Sequence, residues 1–419
     1  MTARLLLRLA LWLVLALLAT GCNVDDARAQ LRRVVDQQRL LREAASPPSS
    51  PANQLLVQDT DGNLYLVGAD GGARFALTTD ASSTRQYVQP TWSADGERIA
   101  WSRLDGTDSY LITSRFDGSE RAELAVPFLP FYIYWSPAGN RLAYLSSWVS
   151  LNQRSLALRV VDISERGNEA RTLAEGQPLY FSWAPDGEQM VTHIGTERIE
   201  LQLVTGEQTS LAAAAGLFPA PQWSPDGQRL VYATADNLLQ RLVVADVAGN
   251  ELAELTDYSN RISFSISPDS QRLAYLITER ATSANNLGPL YVVDVGSRRT
   301  REVTDRPVLA FFWSPDSQKL AYLALDVVSG RLVTRWYVWD GRRSAPYAAY
   351  IPSRTFLDNY LPFFDQYAQS HPIWSPDSSA FVFAGSVGGG RTGIWVQRLD
   401  ERLAPEFLTT GEYATWSPR

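Results

Sequence analysis

Short apolar runs separated by polar, proline-containing turns recur along this chain from about Gln54 to its last residue. Runs such as Arg229-Leu230-Val231-Tyr232 and Lys319-Leu320-Ala321-Tyr322 are too short for helices, and their continuous apolar character suits strands buried on both faces. Each is preceded by a version of one phrase, for example WSADGERIAW from Trp92, WSPDGQRLVY from Trp223 and WSPDSQKLAY from Trp313. The anchor residues of the copies are Trp92, Trp135, Trp183, Trp223, Ile266, Trp313, Trp374 and Trp416. They lie 40 to 48 residues apart, except for a step of 61 between Trp313 and Trp374. The phrase reads as strand, tight turn, strand: Pro presets φ, Asp or Ser follows, and Gly closes the turn with positive φ. Ser270, Ser317 and Ser378 stand where Gly would sit, which predicts turns without positive φ in those copies. A third strand follows, as in Leu290 to Asp294 and Thr334 to Trp339, and a shorter fourth ends in Leu-Thr or Val-Thr, as at Leu255-Thr256 and Val303-Thr304.

Four strands per unit at a period in the low forties predict an all-β chain folded as a β-propeller. Residues 54–80 supply three strands with no phrase in front of them, around Leu55-Leu56-Val57, Leu64 to Val67 and Arg74 to Leu77. The last copy supplies one strand, around Tyr413 to Trp416, and goes no further. The leftovers complete one blade, giving eight blades of four antiparallel strands; seven is the alternative, if one divergent unit is a loop. A Trp at the same place in nearly every copy is expected to pack between blades, and Ile266 can take that role once.

The recurring W-S-P-D-G-x-x-apolar-A-aromatic pattern is similar to the repeats of the TolB-like propeller family, related to WD-repeat-like propellers, over about residues 54–419. The resemblance implies the fold and says little about function. TolB itself carries six blades and a preceding α/β domain, neither of which this sequence matches. Prolyl-oligopeptidase-type enzymes carry related propellers attached to a hydrolase domain.

Residues 1–21 combine Arg4 and Arg8 with an apolar stretch through Leu11 to Leu18 and small residues before Cys22, the pattern of a secretory signal too short for a comfortable membrane span. Leu18-Ala19-Thr20-Gly21-Cys22 resembles a bacterial lipobox, with Ala19 where that pattern prefers Leu. The resemblance implies lipidation of Cys22, the sole cysteine of 419 residues, and attachment to a bacterial membrane with the ring on the extracytoplasmic side. Residues 22–53 then form a tether: a helix-prone, Arg-rich stretch from Ala27 to Ala45, followed by a Pro/Ser spacer from Ser46 to Pro51. Loss of Arg4 and Arg8 leaves 36 basic against 45 acidic residues, a net charge of −9. No basic stripe marks the ring, which argues against nucleic acid.

Catalytic chemistry is thinly represented. His193 and His371 are the only histidines and lack metal-ligand spacing to each other. Ala384-Gly385-Ser386-Val387-Gly388 departs from a nucleophile elbow and reads as a turn, and Asp59 to Asn63 reads as a hairpin turn rather than a calcium loop. No cofactor or metal is expected. The long step between Trp313 and Trp374 holds an insertion at about residues 342–371, rich in aromatics: Tyr347, Tyr350, Phe356, Tyr360, Phe363, Phe364 and Tyr367, closing on His371. These rings either cover or plug the ring's mouth, or form a partner-binding surface; His371, just before an innermost strand, can face the channel. The expectation is a non-enzymatic envelope lipoprotein acting as a protein-binding scaffold. A glycan- or peptide-binding channel is the alternative, and a propeller enzyme such as a polysaccharide lyase comes third. Replacing Cys22 with Ser is expected to abolish incorporation of radiolabelled palmitate and to move the protein out of the membrane fraction; retained label would refute lipidation there.

Overall fold

The computed structural model describes residues 46–419, apart from residues 73, 151–152, 165–168, 213–219, 237–238, 279–286, 329 and 401–403. The expected signal sequence, Cys22 and the expected tether up to residue 45 lie outside the described residues. Among the described residues no helix is long and apolar enough to cross a membrane.

The chain is a multi-bladed β-propeller of antiparallel sheets. Five sheets have four strands and one has ten. The ten-stranded sheet arises because two strands serve two repeats each. Thr300–Trp313 pairs first with Gly288–Asp294 and then with Leu320–Val328. Ser344–Pro352 pairs with Arg331–Trp339 and, through its last residues, with Ala380–Val387. Each anchor except Trp374 ends the innermost strand of its group; Trp374 is joined to Phe381 by a single bridge. Ala384 to Val387 belong to strand Ala380–Val387, so the turn expected there begins only at Gly388 and Gly389, both with positive φ. The ring closes as the leftover strands require: Tyr413–Trp416 pairs with Gln54–Gln58 in the register Leu55↔Trp416 to Gln58↔Tyr413, which removes the exposed edge either strand would otherwise present.

The anchors are interior packing residues, all 9% exposed or less. Several also reach sideways: the indole N–H groups of Trp92, Trp183, Trp313 and Trp374 donate to the backbone oxygens of Thr415, Tyr134, Ser265 and Phe312, each on the inner strand of the neighbouring repeat. The phrase turns are stapled by their first serine. Ser224 Oγ donates to Asp226 Oδ1 at 2.5 Å and accepts from the Arg229 amide at 2.9 Å, and Ser267 and Ser314 repeat the arrangement.

One expectation is corrected. Ser270, Ser317 and Ser378 have φ near +60°, the same left-handed conformation as Gly96, Gly139, Gly187 and Gly227 at the equivalent position. A non-glycine residue there costs on the order of 1–2 kcal/mol. Each serine offsets it by accepting a hydrogen bond from the turn of the preceding repeat: Asp226 N to Ser270 Oγ (3.1 Å), Asp269 N to Ser317 Oγ (2.9 Å) and Asp316 N to Ser378 Oγ (3.0 Å). The position does require positive φ, and serine exchanges strain for a link between repeats. Trp416→Ala would leave a void against the closing strand and is expected to cost roughly 3–5 kcal/mol in urea unfolding; a loss below about 1 kcal/mol would mean that the closure is not structurally important.

Candidate functional site

The aromatic insertion folds inward. After the outer strand Ser344–Pro352, the chain forms a π-helical turn (Phe356–Tyr360), a 3₁₀ turn (Leu361–Phe363) and one α-helical turn (Phe364–Tyr367). This plug touches inner strands around the ring. The Tyr360 and Tyr413 rings stack with centroids 3.7 Å apart. Tyr367 Oη bonds Gln89 Oε1 and Phe131 O at 3.1 and 3.0 Å. Gln366 acts as a strand-edge mimic: its Nε2 donates to Phe181 O at 2.6 Å and its Oε1 accepts the Phe181 amide at 3.1 Å. Phe364 packs edge-on against Phe311 at 5.0 Å.

Sequence reading grouped eight residues here, and the structure divides them. Tyr347 and Tyr350 lie on the outer strand, Tyr350 buried and Tyr347 half-buried. Tyr360, Phe364, Tyr367 and His371 are buried in the plug and Phe356 is half-buried. Phe363 is 45% exposed. His371 sits among the rings of Tyr132, Tyr360, Tyr367 and Tyr413 at 5.0–6.2 Å, with Nδ1 bonded to Ser370 Oγ at 2.7 Å. Burial lowers its pKa to about 3, so the imidazole is neutral. His193 is buried elsewhere, beside Tyr180 at 6.0 Å.

Next to the plug a recess of about 860 Å³ opens between the plug and the strands of several repeats. Phe131, Leu145, Leu156, Pro178, Leu179 and Phe363 give it apolar walls, and Gln89, Tyr180, Arg261, Asp365 and Gln366 add polar groups. The carboxyl of Asp365 is the unusual one. It is 3% exposed; Oδ1 accepts the Gln366 amide at 3.0 Å, and Oδ2 has no hydrogen-bond partner among the described residues. Burial pushes its pKa up to about 7, which the backbone amides of Gln366 and Ala220 and the Ser263 hydroxyl offset only in part. Among the described residues no three His, Cys, Asp or Glu side chains are grouped to hold a metal ion.

Asp365, Gln366, Gln89, Tyr132, Tyr180 and Arg261 were missed from the sequence. Superposing the phrase copies would have revealed three of them, Gln89, Tyr132 and Tyr180. The residue three before each anchor reads Gln89, Tyr132, Tyr180, Ala220, Ser263, Ala310, His371 and Tyr413, and contacts of seven of these surround the plug. Two polar residues, Asp365 and Gln366, between Phe364 and Tyr367 were the other clue.

No family model matches the chain, and no curated protein matches it. Solved structures do. Dihydro-heme d1 dehydrogenase NirN aligns at TM-score 0.60 and 12% identity, covering 89% of this chain and 78% of that one. A prolyl endopeptidase aligns at TM-score 0.52 and 11% identity, covering 79% of this chain and 50% of its own length. TolB from Acinetobacter baumannii is similar at TM-score 0.39 and 16% identity, with 80% and 82% covered. At such identities the first two show the fold alone, a β-propeller, in agreement with the TolB-like character of the repeats.

Because the Asp365 carboxyl is favoured in its neutral form, its contribution to stability is fully present below about pH 4 and is lost as pH rises to about 7. His371 has the opposite sign: its contribution is present above about pH 6.5 and is lost as pH falls toward 3. Asp365→Asn is therefore expected to gain about 2–3 kcal/mol relative to the parent between pH 5 and pH 8, measured by urea unfolding at both values. A pH-independent difference would show that the carboxyl is not desolvated.

Proposed function

We propose that this chain is a non-enzymatic lipoprotein of the bacterial envelope, held through Cys22 to a membrane, whose propeller binds an envelope protein at the plugged end. The observation that carries this reading is the polarity of the closing strand. At its Trp416 end the chain enters the ring: Leu55 pairs with Trp416, and the Asn53 amide bonds Arg419 O at 2.8 Å. At its Tyr413 end the strand meets the plug through Tyr360. Residues 46–52 lie beside Gly68, Asp70 and Gly72 at that same end, so a tether leaving Ser46 toward a membrane directs the plug, the recess and the exposed rings of Phe131 and Phe363 away from the bilayer. Exposed rings at the rim of an apolar recess have the makeup of an interface anchor. Buried Tyr360, Phe364 and Tyr367 act in this reading as the rigid support beneath the contact surface, and Phe363 is the contact the insertion contributes. The neutral imidazole of His371, caged by four rings, supports a structural role over a catalytic one.

A photo-crosslinking amino acid placed at Phe363 in cells is expected to give a discrete adduct, whereas the same probe at Gln228, exposed in a phrase turn at the tether end, gives none. Phe131→Asp should remove the Phe363 adduct. An adduct at Gln228 with none at Phe363 would reverse the orientation.

A further inference from the structure

The charged side chains around the recess beside the plug have nothing left to offer a ligand. Asp358 is paired with Arg354 at 3.1 Å, and Arg261 is engaged by a partner of its own. The Asp365 carboxyl takes the Gln366 amide on one oxygen and has the other closed to water. Most of the uncharged polar groups are used as well: the Tyr132 and Tyr367 hydroxyls and the Gln366 carboxamide are bonded to one another, to Gln89 or to backbone oxygens. Two groups are not. The hydroxyl of Tyr180, a residue 8% exposed, has no hydrogen-bond partner among the described residues. Gln89, 6% exposed, accepts from Tyr367 on Oε1 and leaves Nε2 without a partner. Neither atom is closed to water, in contrast to the Asp365 oxygen. Gln89 also stands at the register shift between Val88 and Thr91 with φ +58°, a bulge of the kind that re-aims a side chain beside a site. Around these two groups the walls are apolar, with Phe131, Leu145, Leu156, Leu179 and Phe363, and the volume falls in the range of small-molecule sites.

We propose that this recess binds a small uncharged molecule with an apolar, ring-bearing body and a carbonyl group, the carbonyl accepting a hydrogen bond from the Tyr180 hydroxyl or from Gln89 Nε2. The class follows from what the walls supply. A charged ligand would enter a low-dielectric space without a free counter-charge. A plain hydrocarbon would strip water from two donors and give them nothing in return. A carbonyl satisfies a donor, and the rings of Phe131, Tyr180 and Phe363 favour an aromatic body over an aliphatic one. The site goes beyond the docking role and does not rest on it: the free ligand fills the recess whether or not a protein covers the rim.

The test is photolabelling of the full chain in detergent with benzophenone, itself an uncharged aromatic ketone, and location of the adducts by peptide mass spectrometry. Saturable adducts are expected on Leu145, Leu156, Leu179 or Phe363. The competitor 4-phenylbutan-2-one should suppress them at a concentration at least tenfold below that of 4-phenylbutanoate, its carboxylate counterpart. Butylbenzene, the hydrocarbon counterpart, measures what the carbonyl adds. Tyr180→Phe combined with Gln89→Met should cut the advantage of the ketone over butylbenzene at least fivefold; both competitors meet the same micelles in parent and variant, so the change reports the recess. Absence of saturable adducts there, equal competition by ketone and carboxylate, or an advantage untouched by the double variant would each overturn the proposal. The ketone-against-carboxylate comparison is made on the parent and stands even if the variant fails to fold. Protein adducts at Phe363 without saturable benzophenone labelling would leave the docking role intact and remove this one.

Discussion

A ring of separate sheets must join the two ends of its chain, and here the pairing of Tyr413–Trp416 with Gln54–Gln58 joins them within one four-stranded sheet. Everything else in the ring presupposes that closure. Without it the first repeat has no inner strand, Leu55 and Val57 lose the cover of Trp416 and Ala414, and Tyr360 loses the ring it stacks on. The backbone bonds are few, but they join residues from the two extremes of the globular sequence. The loop-closure entropy of nearly the whole propeller is therefore opposed at this one seam.

A second constraint follows from having a ring at all. Inner strands converge on an axis, and their side chains must either fill the space or leave it wet. The plug fills it with Tyr360, Phe364 and Tyr367, and the polar backbone it carries inward is matched locally. Gln366 presents an amide to Phe181 much as a neighbouring strand would, and Thr91 bonds Ser370 O. Among the described residues of the plug, the Asp365 carboxyl and the Tyr360 hydroxyl each keep an oxygen without a hydrogen-bond partner.

The architecture was legible because its cause is periodic: phrase copies at near-equal spacing can bury their apolar runs only by stacking against one another. The three strands at one end and the single strand at the other were legible for the same reason, as remainders of the period. The conformation of Ser270, Ser317 and Ser378 was not, because the hydrogen bond that stabilises left-handed serine comes from the preceding repeat and leaves no local trace. Nor was the inward path of the insertion. Seven aromatic residues in one insertion are equally compatible with a core and with a surface, and only contacts to Gln89, Phe131 and Phe181 decide between them. The recess was invisible for a simpler reason: its walls come from residues scattered between Gln89 and Tyr367.

The residues that face the axis are not alike. Ala220, Ser263 and Ala310 are small and come from three successive repeats, whereas Gln89, Tyr132, Tyr180, His371 and Tyr413 are large. The α-helical turn Phe364–Tyr367 sets Phe364 against Phe311 and Asp365 against Ala220 and Ser263, in the repeats that supply the small residues. Repeats that look interchangeable are therefore not so. Opening the chain at a different blade boundary preserves their cyclic order and so the seat for the plug, whereas exchanging two of them would pair the same helix with a wall of the wrong depth.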